Sequence, residues 1–173
     1  EPQPHPKALN ALALALYKQA NVGRAGHFAQ KATDEGVADP TSRAILADRW
    51  LWARDQEKAE KHLNAAEKSG APQPVLNVVK GHMAARHGDP KGAQKLLEEI
   101  PKENPLELLA GIYKLDLLWN QDKPQEAVAE LQRMVDRHPG KPWADLLLAG
   151  VRFVAGERKA AREQAEKIAD QYK

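Results

Sequence analysis

Cysteine is absent from the 173 residues, which removes disulfides, thiolate metal sites and cysteine nucleophiles together. No apolar run approaches the roughly 20 residues that a membrane-spanning helix needs, so no membrane insertion is expected of this segment. The opening residues, EPQPHP, lack the basic-then-apolar layout of a signal peptide. With three prolines in six positions they read instead as a stiff extended linker over 1–5. Such a start reads as that of a mature or excised piece of a longer protein. Together with the missing cysteine, it leans toward a periplasmic or other envelope compartment over the cytoplasm. Neither sign of charge dominates: 26 Lys and Arg stand against 24 Asp and Glu. The two signs are interspersed with no basic block, so neither nucleic acid nor an anionic membrane surface is an expected partner. Aromatics make up only 5%.

What the chain has in quantity is alanine, at 29 positions, and charged residues, at 29%. That mixture belongs to solvated helices packed through small side chains, and an all-α fold follows. One stretch, ALNALALALY over 8–17, alternates with the period of a strand. Alanine and leucine are strong helix formers, no β-branched residue occurs there, and a strand would have no partner elsewhere, so it too is read as helix.

Alanine is also periodic. In a register of 34 residues, with units over 6–39, 40–73, 74–107, 108–141 and 142–173, the twentieth position is Ala25, Ala59, Ala93, Ala127 and Ala161. Five matches in one column arise by chance about once in 10,000, so the repeat is real. The eighth position holds Ala13, Ala47, Gly81 and Ala149, with Leu115 dissenting, and the twenty-fourth Ala29, Leu63, Leu97, Leu131 and Ala165. Two antiparallel helices approach closely only where side chains are small, so the eighth and twentieth positions should face each other. Leu115 then predicts a wider spacing in the fourth unit. Turn chemistry agrees: Asp89-Pro90 and Lys123-Pro124 start second helices, Gly88 and Gly156 fall between helices, and Gly36, Gly70 and Gly140 fall near unit ends. Pro101 should stop the second helix of the third unit near Ile100.

A 34-residue period with small residues at eight and twenty resembles the tetratricopeptide repeat (TPR) family over nearly the whole chain. The resemblance implies a right-handed α-solenoid of about five helix-turn-helix repeats. It also implies a concave groove lined by the second, fifth, ninth, twelfth and thirteenth positions of each first helix. Carried across, the groove residues most suited to contact a partner are Tyr17, Lys18, Asp48, Trp52, His82, Arg86, Asp116, Trp119, Asn120 and Trp143. Aromatics and arginine supply most hot-spot energy in interfaces, so this set implies a peptide, strand or helix of a partner protein as ligand. The third unit, with His82 and Arg86, is expected to be a polar, cationic step between aromatic ones. Some family members grip a chaperone's C-terminal carboxylate with cationic residues. The corresponding places here are mostly Asn10, Leu14, Ile45, Val75 and Val79, so that mode is not expected.

Catalytic signals are lacking. His5, His27, His62, His82, His87 and His138 form no HExxH or comparable pairing, and His82 and His87 are over 100° apart on a helix. There is no phosphate loop and no GxSxG, and Glu98-Glu99 sits in a charged helical stretch. The chain reads as a non-enzymatic scaffold or adaptor without metal or cofactor. The alternative reading is a structural spacer within a longer repeat array of a secretion, envelope or multi-enzyme complex. PWADLLLAGVRFVAG in the last unit is apolar on more than one face, and so is expected to be covered by a neighbouring repeat, a second copy through the repeat ends, or its own unit.

Overall fold

The computed structural model of the chain describes residues 5–139 and 142–171, and the side chains of Lys7, Pro142 and Gln171 fall outside that description. Four of the five linker residues and Gly140 also lie outside it. Among the described residues there are ten helices and no strand, and ALNALALALY lies in the first of them. In chain order they are α1 (Pro6–Lys18), α2 (Val22–Asp34), α3 (Pro40–Trp52), α4 (Gln56–Lys68), α5 (Gln73–Arg86), α6 (Pro90–Glu98), α7 (Glu107–Asn120), α8 (Pro124–Arg137), α9 (Pro142–Val154) and α10 (Arg158–Gln171).

The starts of the second helices, at 22, 56, 90, 124 and 158, recur every 34 residues. The turns explain this regularity. Five residues at the same spacing, Ala20, Arg54, Gly88, Asp122 and Gly156, take positive φ of 58°, 59°, 77°, 56° and 89°. Each reverses the chain in the left-handed region, which glycine adopts freely and other L-residues adopt at a cost. Only two of the five are glycine, so the column is nearly invisible in the sequence. After the turn, the side chains of Asn21, Asp55 and Asp89 accept a hydrogen bond from the backbone N–H three residues on, at 3.3, 3.1 and 2.9 Å. This satisfies a donor that the helix start leaves open. Lys123 holds the same place before α8 without a side-chain cap. The helix α6 ends at Glu98, two residues before the stop expected from Pro101.

The chain divides into two compact units, Glu1–Ala110 and Gly111–Lys173. In the first, α1 pairs with α2, α3 with α4 and α5 with α6, and α3 also packs on α1, α2 and α5. Its seam is built from Ala25, Ala59 and Ala93, all fully buried, with Ile45, Leu46, Val78, Val79 and Leu97 around them. A Cβ on Gly81 would stand 2.8 Å from Cγ of Leu97, so the backbones approach there as closely as a missing side chain allows. In the second unit α9 packs on both α8 and α10, and Ala127, Leu131, Met134, Leu148 and Ala161 form the core. Here the close approach belongs to Gly111, where a Cβ would meet Sδ of Met134 at 2.7 Å. Leu115, one turn later and half-buried, therefore does not sit at the point of closest approach.

Candidate functional site

The first helices of the hairpins carry the candidate residues, and the two units treat them differently. In the first unit Tyr17, Asp48 and His82 are buried, at 0, 0 and 5% exposure. The Tyr17 hydroxyl donates to Oδ2 of Asp48 at 2.9 Å, and Nδ1 of His82 lies 2.7 Å from Oδ1 of the same carboxylate. This chain ties α1, α3 and α5 together, and it differs from the open groove positions expected of these three side chains. The reason is the packing of α3 against both α1 and α5: the ninth and twelfth positions turn into that seam, where a carboxylate is tolerated only with hydrogen-bond partners on its oxygens.

The thirteenth position is the one that stays in water. Lys18, Trp52 and Arg86 in the first unit are exposed, and Asn120 and Val154 in the second likewise. Trp52 is 54% exposed, with its ring centroid 5.3 Å from that of His82 at a 52° tilt. The buried chain thus ends against an exposed indole. Lys18 and Arg86 occupy the same register position one repeat before and one after Trp52, so this face is aromatic and cationic. A second polar cluster, around the half-buried Asn10, lies at the other end of the same helices. Asn10 donates to the Val37 carbonyl at 2.8 Å and accepts from the Ser42 hydroxyl at 2.7 Å, which joins the α2–α3 turn to α1.

In the second unit Asp116, Trp119, Asn120 and Trp143 are all exposed. The stripe Trp143, Leu146, Leu147, Phe153 and Val154 along α9 is open by 40, 55, 43, 59 and 63%. Gly150 lies in the same stripe, and a Cβ there would meet nothing within 4 Å. Among the described side chains of this helix, expected to be covered on several sides, only Ala144, Leu148 and Ala149 are buried, and the helix packs on α8 and α10. Its polar edge is held by Arg152, whose two terminal nitrogens donate to Gln164 at 2.6 Å and Gln132 at 2.7 Å, with Glu157 3.6 Å from Nε. A cavity of about 740 Å³ opens over that guanidinium, lined also by Asp136, Asp145, Glu163 and Lys167. Its charges are mixed, and Arg152 is already engaged by three side chains of this unit.

Among the described residues, no group of three His, Asp or Glu converges as a metal site, and no helix is long and apolar enough to cross a membrane. Sequence reasoning placed Trp52, Trp119 and Trp143 on open faces of first helices. It missed the buried Tyr17–Asp48–His82 chain, whose only signal was the 34-residue separation of Asp48 and His82 at one repeat position.

Residues 118–173 match the family model described as tetratricopeptide repeat. No curated protein sequence matches the chain. Solved structures do. The structure reported for the functional characterization of Pseudomonas aeruginosa pilF aligns with a TM-score of 0.62 at 17% identity, over 95% of this chain and 75% of that one. A human IFIT1 dimer with m7Gppp-AAAA aligns with a TM-score of 0.68 at 17% identity, over 95% of this chain and 41% of IFIT1. YrrB, reported as a TPR protein with an unusual peptide-binding site, aligns with a TM-score of 0.53 at 19% identity, over 96% and 86%. At such identities the likeness establishes a shared all-α repeat fold.

Proposed function

We propose that the chain is a tetratricopeptide-repeat module, a fold that generally serves protein-interaction scaffolds, and that it binds a segment of a partner protein on the first-helix faces of its hairpins, without catalysis. Lys18, Trp52 and Arg86 make the contacts in the first unit, and Asp116, Trp119, Asn120 and Trp143 in the second. Tyr17, Asp48 and His82 act from below by fixing the helices that present these side chains.

One observation carries the reading. Trp52 keeps more than half of its surface in water although a buried hydrogen-bonded chain fixes the helix beneath it. A large aromatic that is held in place and contributes little to the core is the usual centre of a protein-binding surface, and the flanking Lys18 and Arg86 add polar contacts at its border. YrrB supports the reading as a protein of the same fold reported with a peptide-binding site.

Affinity purification with the full chain tests it. Trp52→Ala and Arg86→Glu, both on exposed side chains, should each remove the captured partner while leaving the helical circular dichroism intact. Capture that survives both changes but is abolished by Leu147→Asp would leave the spacer reading instead.

A further inference from the structure

Within the second unit, a small pocket of about 180 Å³ is lined by Trp119, Asp122, Pro124 and Val154. Its lining joins an indole, a proline ring and an isopropyl group to one carboxylate at the rim, and its open surface is more polar than apolar. Asp122 is held at that rim by the left-handed turn between α7 and α8, with φ 56°. Asp116, one helical turn before Trp119, is a second exposed carboxylate on the same face.

Among the described residues, the carboxylates beside this pocket have no cation of their own. Neither Asp116 nor Asp122 takes part in an ion pair among the described residues. The adjacent Lys123 is engaged with Glu126 at 3.4 Å. Arg158 lies over the Phe153 ring, 5.9 Å from its centroid, and so covers a different aromatic. The charges of α9 itself, Asp145 and Arg152, line the polar cavity beside α8 and α10.

We infer that this pocket takes an aliphatic side chain of a partner segment in which a neighbouring residue is lysine or arginine. The aliphatic group seats between Trp119 and Val154, and the cation meets Asp122 and Asp116 or covers the open indole face. A segment with an acidic neighbour would place like charges together and is rejected by the same two carboxylates. The inference rests on the first-helix faces being a protein-binding surface and names the partner chemistry that the second unit selects.

A random peptide library displayed on phage and selected on the full chain tests it. The expected result is enrichment of Leu, Ile or Met beside Lys or Arg. Enriched peptides made synthetically should bind Trp119→Ala at least about tenfold more weakly. The double reversal Asp116→Lys/Asp122→Lys, on exposed side chains, should shift selection to peptides with Asp or Glu in place of the base. Enrichment without a basic neighbour, or a preference unchanged by the reversal, overturns the inference. Peptides that depend on Trp52 and not on Trp119 also overturn it while leaving the general binding reading intact. Selection of no peptide at all removes both. Self-association that Val154→Asp abolishes, seen by light scattering, would assign the pocket to a second copy and overturn it as well.

Discussion

Nδ1 of His82 lies 2.7 Å from Oδ1 of Asp48, across one full repeat of 34 residues, with both side chains buried. The two hold the same position in successive repeats, so the contact joins hairpin to hairpin. Tyr17 completes it from the first repeat through Oδ2. Tyr17→Phe keeps the ring and removes one donor to a buried carboxylate, and is expected to cost about 1–3 kcal/mol of stability. Urea unfolding measures this. In a double-mutant cycle with His82→Gln the two effects should be non-additive, because both act on one carboxylate.

Two of the helical glycines, Gly81 and Gly150, predict opposite outcomes for one change. Gly81→Ala forces a methyl against Cγ and Cδ2 of Leu97 at 2.8 and 2.9 Å and should destabilise by about 1–3 kcal/mol. Gly150→Ala meets nothing within 4 Å and should stabilise by about 0.5–1 kcal/mol through helix propensity alone. Thermal unfolding of the pair distinguishes a packing glycine from an incidental one.

The turn column predicts a gain from an unpromising substitution. Arg54 is exposed and takes φ 59°, where Gly88 and Gly156 stand in later repeats. Arg54→Gly relieves left-handed strain, partly offset by the greater conformational entropy that glycine gives the unfolded chain, for a net gain of about 0.5–1 kcal/mol. A shift of the urea midpoint to lower concentration would contradict the assignment of that turn.

Before α8, Lys123 offers no acceptor where Asn21, Asp55 and Asp89 cap their helices. Lys123→Asp should supply one and stabilise by about 1 kcal/mol. The ion pair lost to Glu126 is exposed and subtracts little. Amide exchange at the start of α8, slowed in the variant, is the local readout.

His62 predicts a pH effect. Burial, followed by the charges of Lys61 and Arg43, holds it below its ordinary value of 6.5. As pH falls through 6.5 the unfolded chain takes up this proton before the folded chain does, so stability declines with falling pH until the folded imidazole titrates. Above 6.5 it is neutral in both states and contributes no slope. His62→Gln should therefore lose less stability than the wild type between about pH 7 and pH 5 in urea unfolding. Equal losses in the two proteins would exclude His62 as a source of the slope.

Much of the fold was legible because close helix packing is a local demand written into every repeat. Ala25, Ala59, Ala93, Ala127 and Ala161 are all buried, at 4% exposure or less. The expected small residue of the fourth unit was harder to find. Gly111 does the work that register assigned to Leu115, since a glycine one turn away can take the close approach instead. The turn residues Ala20, Arg54 and Asp122 gave no signal, because left-handed backbone is forced on them by helices that must reverse in a fixed length.

The sequence alone determined the helices, their pairing and their 34-residue spacing, since periodicity, alanine and turn chemistry act between residues close along the chain. It also marked the first helices as the bearers of exposed aromatics. Only the tertiary structure decided which of those positions meet water. The packing of α3 between α1 and α5 closed Tyr17, Asp48 and His82 into the interior, where they need one another as hydrogen-bond partners. Asp116 and Trp119, at the same register positions in the second unit, stayed exposed. Burial of a given repeat position depends on which helix lies beside it, and that neighbour is a repeat or more away in sequence.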